Sequence, residues 1–90
     1  MNSVNDRENA ALTTLKTVLE QVVKTIVNKP ELVRIEIESK SDGKQLLAIQ
    51  VDEKDLGKVI GKNGQTIKSI RGLINAINPS LQDVAVDVSM

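Results

Sequence analysis

Two glycines three residues apart, Gly61 and Gly64, enclose Lys62 and Asn63. Glycine lets a chain turn sharply and removes the Cβ that would hold another backbone away, so a phosphodiester could reach these peptide groups directly. If a helix opens at Gln65, its first N–H groups lack intrahelical partners and stand at the positive end of the helix dipole, where an anion is favoured. Lys62 places a full positive charge in the same loop. The chemistry on offer is recognition of phosphate by backbone and cation, with no bond made or broken. The segment lacks GxxxxGK[ST], and no Ser or Thr follows Lys62 as a magnesium ligand, so nucleotide hydrolysis is not indicated.

The rest of the composition points the same way. Among 90 residues there is no His and no Cys, which removes the commonest general base, the thiol nucleophile, disulfides and thiolate metal sites together. The chain is therefore expected to be neither an enzyme nor a holder of metal or cofactor. It also has no Phe, Tyr or Trp, so bases cannot stack on aromatic rings and aliphatic residues must build both core and contacts. With 40% hydrophobic and 27% charged residues the composition is that of a folded globular protein, and its length suits one small domain. The longest apolar run, Leu46 to Ile49, falls far short of the ~20 residues that span a bilayer. Residues 1–9 are polar and lack the apolar core of a secretory signal, which gives a cytoplasmic expectation with no membrane partner.

Hydrophobic spacing supplies the elements that must position the loop. After a polar segment read as a flexible tail (1–9), the domain is expected over 10–90. Leu12, Leu15, Leu19, Val22 and Ile26 mark one face of a first helix, which Asn28 and Pro30 close. Val33, Ile35 and Ile37 alternate with Arg34, Glu36 and Glu38 as a strand with one wet face, and Ser39 to Gly43 reads as its turn. Gln45 to Val51 is a second strand with apolar residues on both faces, hence central. Asp52 caps a short helix, with Asp55 three residues on, that runs through Leu56, Val59 and Ile60 and stops at Gly61. A further helix from Gln65 carries Ile67, Ile70, Leu73, Ile74 and Ile77 on a stripe roughly 120° wide, of which Ile67, Ile70 and Ile74 read as core and Leu73, at the edge, as either core or an uncovered surface for pairing. Asn78 and Pro79 end it, and Val84, Val86 and Val88 form a last strand. A strand, two helices and a strand make a crossover, so the second and last strands should be parallel neighbours, with the first strand antiparallel on the other side.

Charge is uneven despite the neutral total. Residues 56–82 hold Lys58, Lys62, Lys68 and Arg71 and no acid, so this stretch is +4 and the remainder −4. Lys68 and Arg71, three apart on the polar side of the last helix, either flank phosphates or are plain solvated side chains. Gly57, inside a short helix, reflects close packing of the helix pair or room for a nucleic-acid backbone. Val59 and Ile60 divide between core and groove floor.

The stretch from Leu56 to Arg71 resembles the KH-domain signature VIGxxGxxIxxI, matched at Val59, Ile60, Gly61, Gly64, Ile67 and Ile70. The extra helix and strand precede the core, as in type II rather than type I domains. The expected fold is thus α+β, a type II KH fold (α-β-β-α-α-β) with a three-stranded mixed sheet packed by helices on one face. From Leu12 to Val88 the chain further resembles the KhpA-type family of small bacterial KH proteins, with a KPELV-like segment after the first helix and a DLGKVIGK-like stretch.

This resemblance implies non-catalytic binding of single-stranded RNA, four nucleotides being clamped at such a loop, and a role as RNA chaperone or post-transcriptional regulator. It also implies a homodimer or a complex with a KhpB (Jag)-type KH protein. The candidate RNA-binding set is Gly57, Lys58, Val59, Ile60, Gly61, Lys62, Asn63, Gly64, Gln65, Lys68 and Arg71. Two other readings stand beside it: a KH-fold protein-interaction or dimerisation module with residual nucleic-acid binding, and a binder of single-stranded DNA.

Overall fold

The computed structural model describes residues 3–40, 43–77 and 84–89. Six main elements follow one another: α1 (Ser3–Ile26), β1 (Arg34–Ser39), β2 (Gln45–Gln50), α2 (Leu56–Ile60), α3 (Gln65–Ile77) and β3 (Val84–Val88), with single 3₁₀ turns at Pro30–Leu32, Glu53–Asp55 and Lys62–Gly64. This is the order anticipated from the spacing of apolar residues. Helix α1 begins at Ser3, within the stretch that composition sets apart as a tail.

The long helix buries Leu12, Leu15, Leu19 and Val23, spaced three and four apart, with Val27 following as the chain leaves it. Beyond Ile26 the helix stops ahead of Pro30, whose missing N–H suits the first position of the 3₁₀ turn. At the border of that buried face, Lys24 Nζ pairs with Glu20 at 2.9 Å, one turn apart. The Lys24 hydrogen bond and charge hold the Glu20 carboxyl below its ordinary range.

The sheet order is β1-β2-β3. Strand β1 runs antiparallel to β2, from Arg34 opposite Gln50 to Ser39 opposite Gln45, and β3 runs parallel to β2, from Val84 beside Gln45 to Val88 beside Ile49. Central placement of β2 follows from its burial on both faces: Leu47 and Ile49 point into the core, while Ala48, on the other face, is also buried. The helices cover one face, where Leu15, Leu19, Val23, Ile35, Leu47, Ile49, Val59, Ile67, Ile70, Ile74 and Val86 form a single cluster.

Two expectations need correction. Ile37 shares its strand face with Ile35 yet stays exposed, because the cover supplied by the helices ends before it. Ser39 belongs to β1 rather than to the turn, which is closed by Lys40 N–H to Lys44 O (2.7 Å) and Gly43 N–H to Lys40 O (3.1 Å). On α3 the apolar stripe divides as its spacing suggested: Ile67, Ile70 and Ile74 are core, whereas Leu73 at its edge and Ile77 are 43% and 45% exposed. Asn78, Pro79 and Asp83, given roles in ending α3 and flanking β3, lie outside the described residues.

Candidate nucleic-acid interface

Helix α2 has five residues, too few to be stable alone, so its position comes from its anchors. Val59 is fully buried and fixes the helix to the core, while Asp55, just before it, is 1% exposed. The Asp55 Oδ1 accepts from Asn28 N–H at 3.1 Å and Oδ2 from Lys29 N–H at 3.0 Å. Asp52 caps the preceding 3₁₀ turn by accepting from Lys54 N–H at 3.2 Å, as its type and spacing led one to expect.

The loop itself is a chain of tight turns. Gly61 N–H donates to Gly57 O at 2.8 Å and closes α2; Gly64 N–H donates to Gly61 O at 3.1 Å, and Gln65 N–H donates to Lys62 O as α3 opens. Gly61 has φ 77° and ψ 172°, a region nearly closed to residues with a side chain. Gly64 has φ 73° and Asn63 φ 58°; Asn is among the few non-glycine residues that tolerate this left-handed conformation. Among the described residues nothing accepts a hydrogen bond from the N–H groups of Lys62 and Asn63. The loop thus offers solvent two backbone donors, the Lys62 cation and the positive end of a 13-residue helix.

Around the loop the expected residues separate by role. Lys58, Lys62, Asn63, Gln65 and Lys68 are exposed, and Gly61 and Gly64 half-buried. Among the described residues no carboxylate pairs with Lys58, Lys62 or Lys68. Val59 belongs to the core and not to a groove floor, which leaves half-buried Ile60 as the apolar neighbour of the loop. A Cβ on Gly57 would meet nothing within 4 Å, so helix packing does not require this glycine, and its exposed surface leaves room for an approaching backbone.

Arg71 differs most from a free phosphate contact. Its Nε donates to Val86 O at 2.8 Å and its NH2 to Asp87 Oδ1 at 3.2 Å, so it ties α3 to β3. Beside it an open groove of about 290 Å³ runs between α3 and the edge of the sheet, lined by Leu46, Arg71, Asn75, Val84, Ala85, Val86 and Asp87. The loop and this groove lie along the same helix, with Arg71 six residues, about 9 Å, beyond Gln65. Sequence reasoning missed Thr66, whose side chain and backbone nitrogen fill the space beside Gly61, and the reach of Asp55 to the end of α1. Among the described residues no cluster of acidic side chains could hold a metal ion, and no helix is long and apolar enough to cross a membrane.

The helix-strand-strand-helix-helix-strand order, the mixed sheet and a glycine-bounded loop between the last two helices define a KH domain. More narrowly, the chain belongs to the KhpA/KhpB KH-domain family, which matches residues 16–89. The "RNA-binding protein KhpA" of Thermotoga maritima is 38% identical over 74 residues, 82% of this chain and 97% of that protein. Its namesake in Leifsonia xyli is 40% identical over 74 residues, 82% of this chain and 95% of the relative. That of Streptomyces coelicolor is 40% identical over 63 residues, covering 70% and 78%. No solved structure gives a significant match.

Proposed function

We propose that the chain binds single-stranded RNA without catalysing a reaction, with the phosphodiester backbone at Gly61-Lys62-Asn63-Gly64 and bases in the groove between α3 and β3. The observation that carries this reading is the loop: among the described residues the Lys62 and Asn63 N–H groups lack acceptors and the three lysines around them, at and beside the start of α3, lack carboxylate partners. Phosphate satisfies such donors and screens such charge. The names of the relatives, RNA-binding proteins, support it. Gly57, Lys58, Ile60, Gln65 and Lys68 flank the bound strand, and Arg71 shapes the groove wall.

With one short groove and no aromatic residue, sequence specificity is limited, which suits a chaperone or post-transcriptional regulator acting on many RNAs in the cytoplasm. A second reading, a dimerisation module, draws on the exposed Leu73 and Ile77, one turn apart on α3. Both readings hold together if a homodimer, or pairing with a KhpB-type protein, sets two grooves on one RNA.

The test is the double variant Lys62→Asp with Asn63→Asp. Asp tolerates the left-handed geometry at 63, so the loop keeps its shape while two anions stand where phosphate must approach. Titrating labelled single-stranded RNA, with circular dichroism as folding control, should show binding lost in a folded protein; unchanged affinity would remove the loop from the site. Parallel titration of the same sequence as DNA decides whether the 2′-hydroxyl contributes.

A further inference from the structure

Asp55 is the one charged residue buried to 1% exposure among those described, and the loop chemistry makes no direct use of it. We propose that Asp55 is the positioning residue of the Gly61–Gly64 loop. It hooks the two peptide N–H groups that follow α1 and so fixes the orientation of α2, which delivers the loop. The inference rests on the reading of that loop as the phosphate site.

The geometry gives the argument. A five-residue helix anchored at one buried side chain, Val59, is free to swing about that point, and Gly61 at its end would swing with it. A second anchor at the opposite end removes that freedom. Asp55 supplies it with both oxygens, one to Asn28 N–H at 3.1 Å and one to Lys29 N–H at 3.0 Å. Two bonds to successive peptide groups fix a carboxylate in direction as well as in distance, and each is charge-assisted. The partners lie 26 and 27 residues away in sequence, at the end of the longest helix, whose Leu15, Leu19 and Val23 are locked in the core. The loop is therefore referenced to α1 as well as to its own neighbours. Phosphate recognition by backbone donors needs such support, because a site displaced by ~0.5 Å loses its hydrogen-bond geometry.

The discriminating variant is Asp55→Asn. The amide keeps one acceptor and turns an NH₂ toward the second peptide N–H, so the two-point hook becomes one-point while the size of the side chain is conserved. In the RNA-free protein, the amide resonances of Gly61, Asn63 and Gly64 should move, and RNA affinity at a temperature where the variant is fully folded should fall by about tenfold, the loss of one hydrogen bond to a charged group. If Asp55 only contributes stability, the melting temperature drops while loop resonances and affinity stay as in wild type, and the proposal is overturned. Moved resonances with unchanged affinity support the positioning role and instead overturn the assignment of RNA to the loop.

Hydrogen exchange on the wild-type protein gives a second reading that needs no folded variant. The amides of Asn28, Lys29 and Gly61 should open together with one free energy if the hook holds the end of α2. Exchange of Gly61 well before Asn28 and Lys29 overturns the proposal.

Discussion

A Cβ placed on Gly61 would lie 2.6 Å from Thr66 Cβ and 2.7 Å from the Thr66 backbone nitrogen, as well as against its Oγ1. One of these obstacles is backbone, so the first turn of α3 would have to shift to admit a side chain. Gly64 has a similar φ of 73° but nothing within 4 Å of the equivalent position. The two glycines of the loop are thus required for different reasons, Gly61 by space and conformation, Gly64 by conformation alone.

It follows that Gly64→Ala should cost ~1–2 kcal/mol, the strain of a left-handed alanine, and Gly61→Ala more than ~3 kcal/mol, since a clash adds to a backbone region almost confined to glycine. Thr66→Ala should not rescue Gly61→Ala, because the Thr66 Cβ and nitrogen remain. Urea denaturation measures all three; equal losses for the two glycine variants would contradict the contact with Thr66.

Arg71 and Lys68, three residues apart, should separate in their effects. Arg71→Ala removes the Nε bond to Val86 O and should lower stability by ~1–2 kcal/mol, almost all of it from that bond. The ion pair with Asp87 adds little, because its side chains are 43% and 65% exposed. Lys68→Ala should leave stability within ~0.5 kcal/mol of wild type and weaken RNA binding. Thermal melts beside RNA titrations check the pair, and a stability loss in Lys68→Ala larger than in Arg71→Ala would reverse the assignment.

Much of this architecture is legible in the residues themselves. The spacing of Leu12, Leu15 and Leu19 gives α1, the alternation through Val84, Val86 and Val88 gives β3, and Gly61 and Gly64 mark the loop, because each pattern is local and repeats with the period of its element. What periodicity cannot supply is the extent of the surface that an apolar face meets. Leu73 and Ile77 share a stripe with Ile70 and Ile74, and Ile37 shares one with Ile35, yet each lies where its covering layer stops. Asp55 was hidden for another reason. Beside Asp52 at the start of a short helix, an acid reads as a favourable charge at a helix N-terminus, and nothing nearby reveals partners 26 and 27 residues upstream. Arg71 likewise reads as a free cation until β3 is folded against it.

Salt dependence measures how many phosphates the site engages. If Lys62 and its lysine neighbours neutralise two or three, log affinity should fall against log salt with a slope of roughly −1.4 to −2, at about −0.7 per phosphate for single strands. The Lys62→Asp, Asn63→Asp variant should flatten it. A slope near zero, or one implying many phosphates, is incompatible with a single short groove of about 290 Å³.

Avidity gives the last prediction. One groove without an aromatic anchor binds weakly, and two joined grooves on one strand can raise apparent affinity by about 10² to 10⁴ with no new contact, if the strand spans both. The pairing surface must be aliphatic, and among the described residues of α3 Leu73 and Ile77 are the large apolar side chains left exposed. Leu73 is 43% exposed, so Leu73→Glu buries no charge in the free protein and should leave the domain folded, monomeric and weak toward long RNA. Binding to a strand too short for two grooves should stay at the wild-type level, because each groove is untouched. Light scattering and titrations with long and short RNA check this together. A wild type that is monomeric at the concentrations where it binds long RNA, or a monomeric variant that binds long RNA as tightly as wild type, would show that one groove suffices.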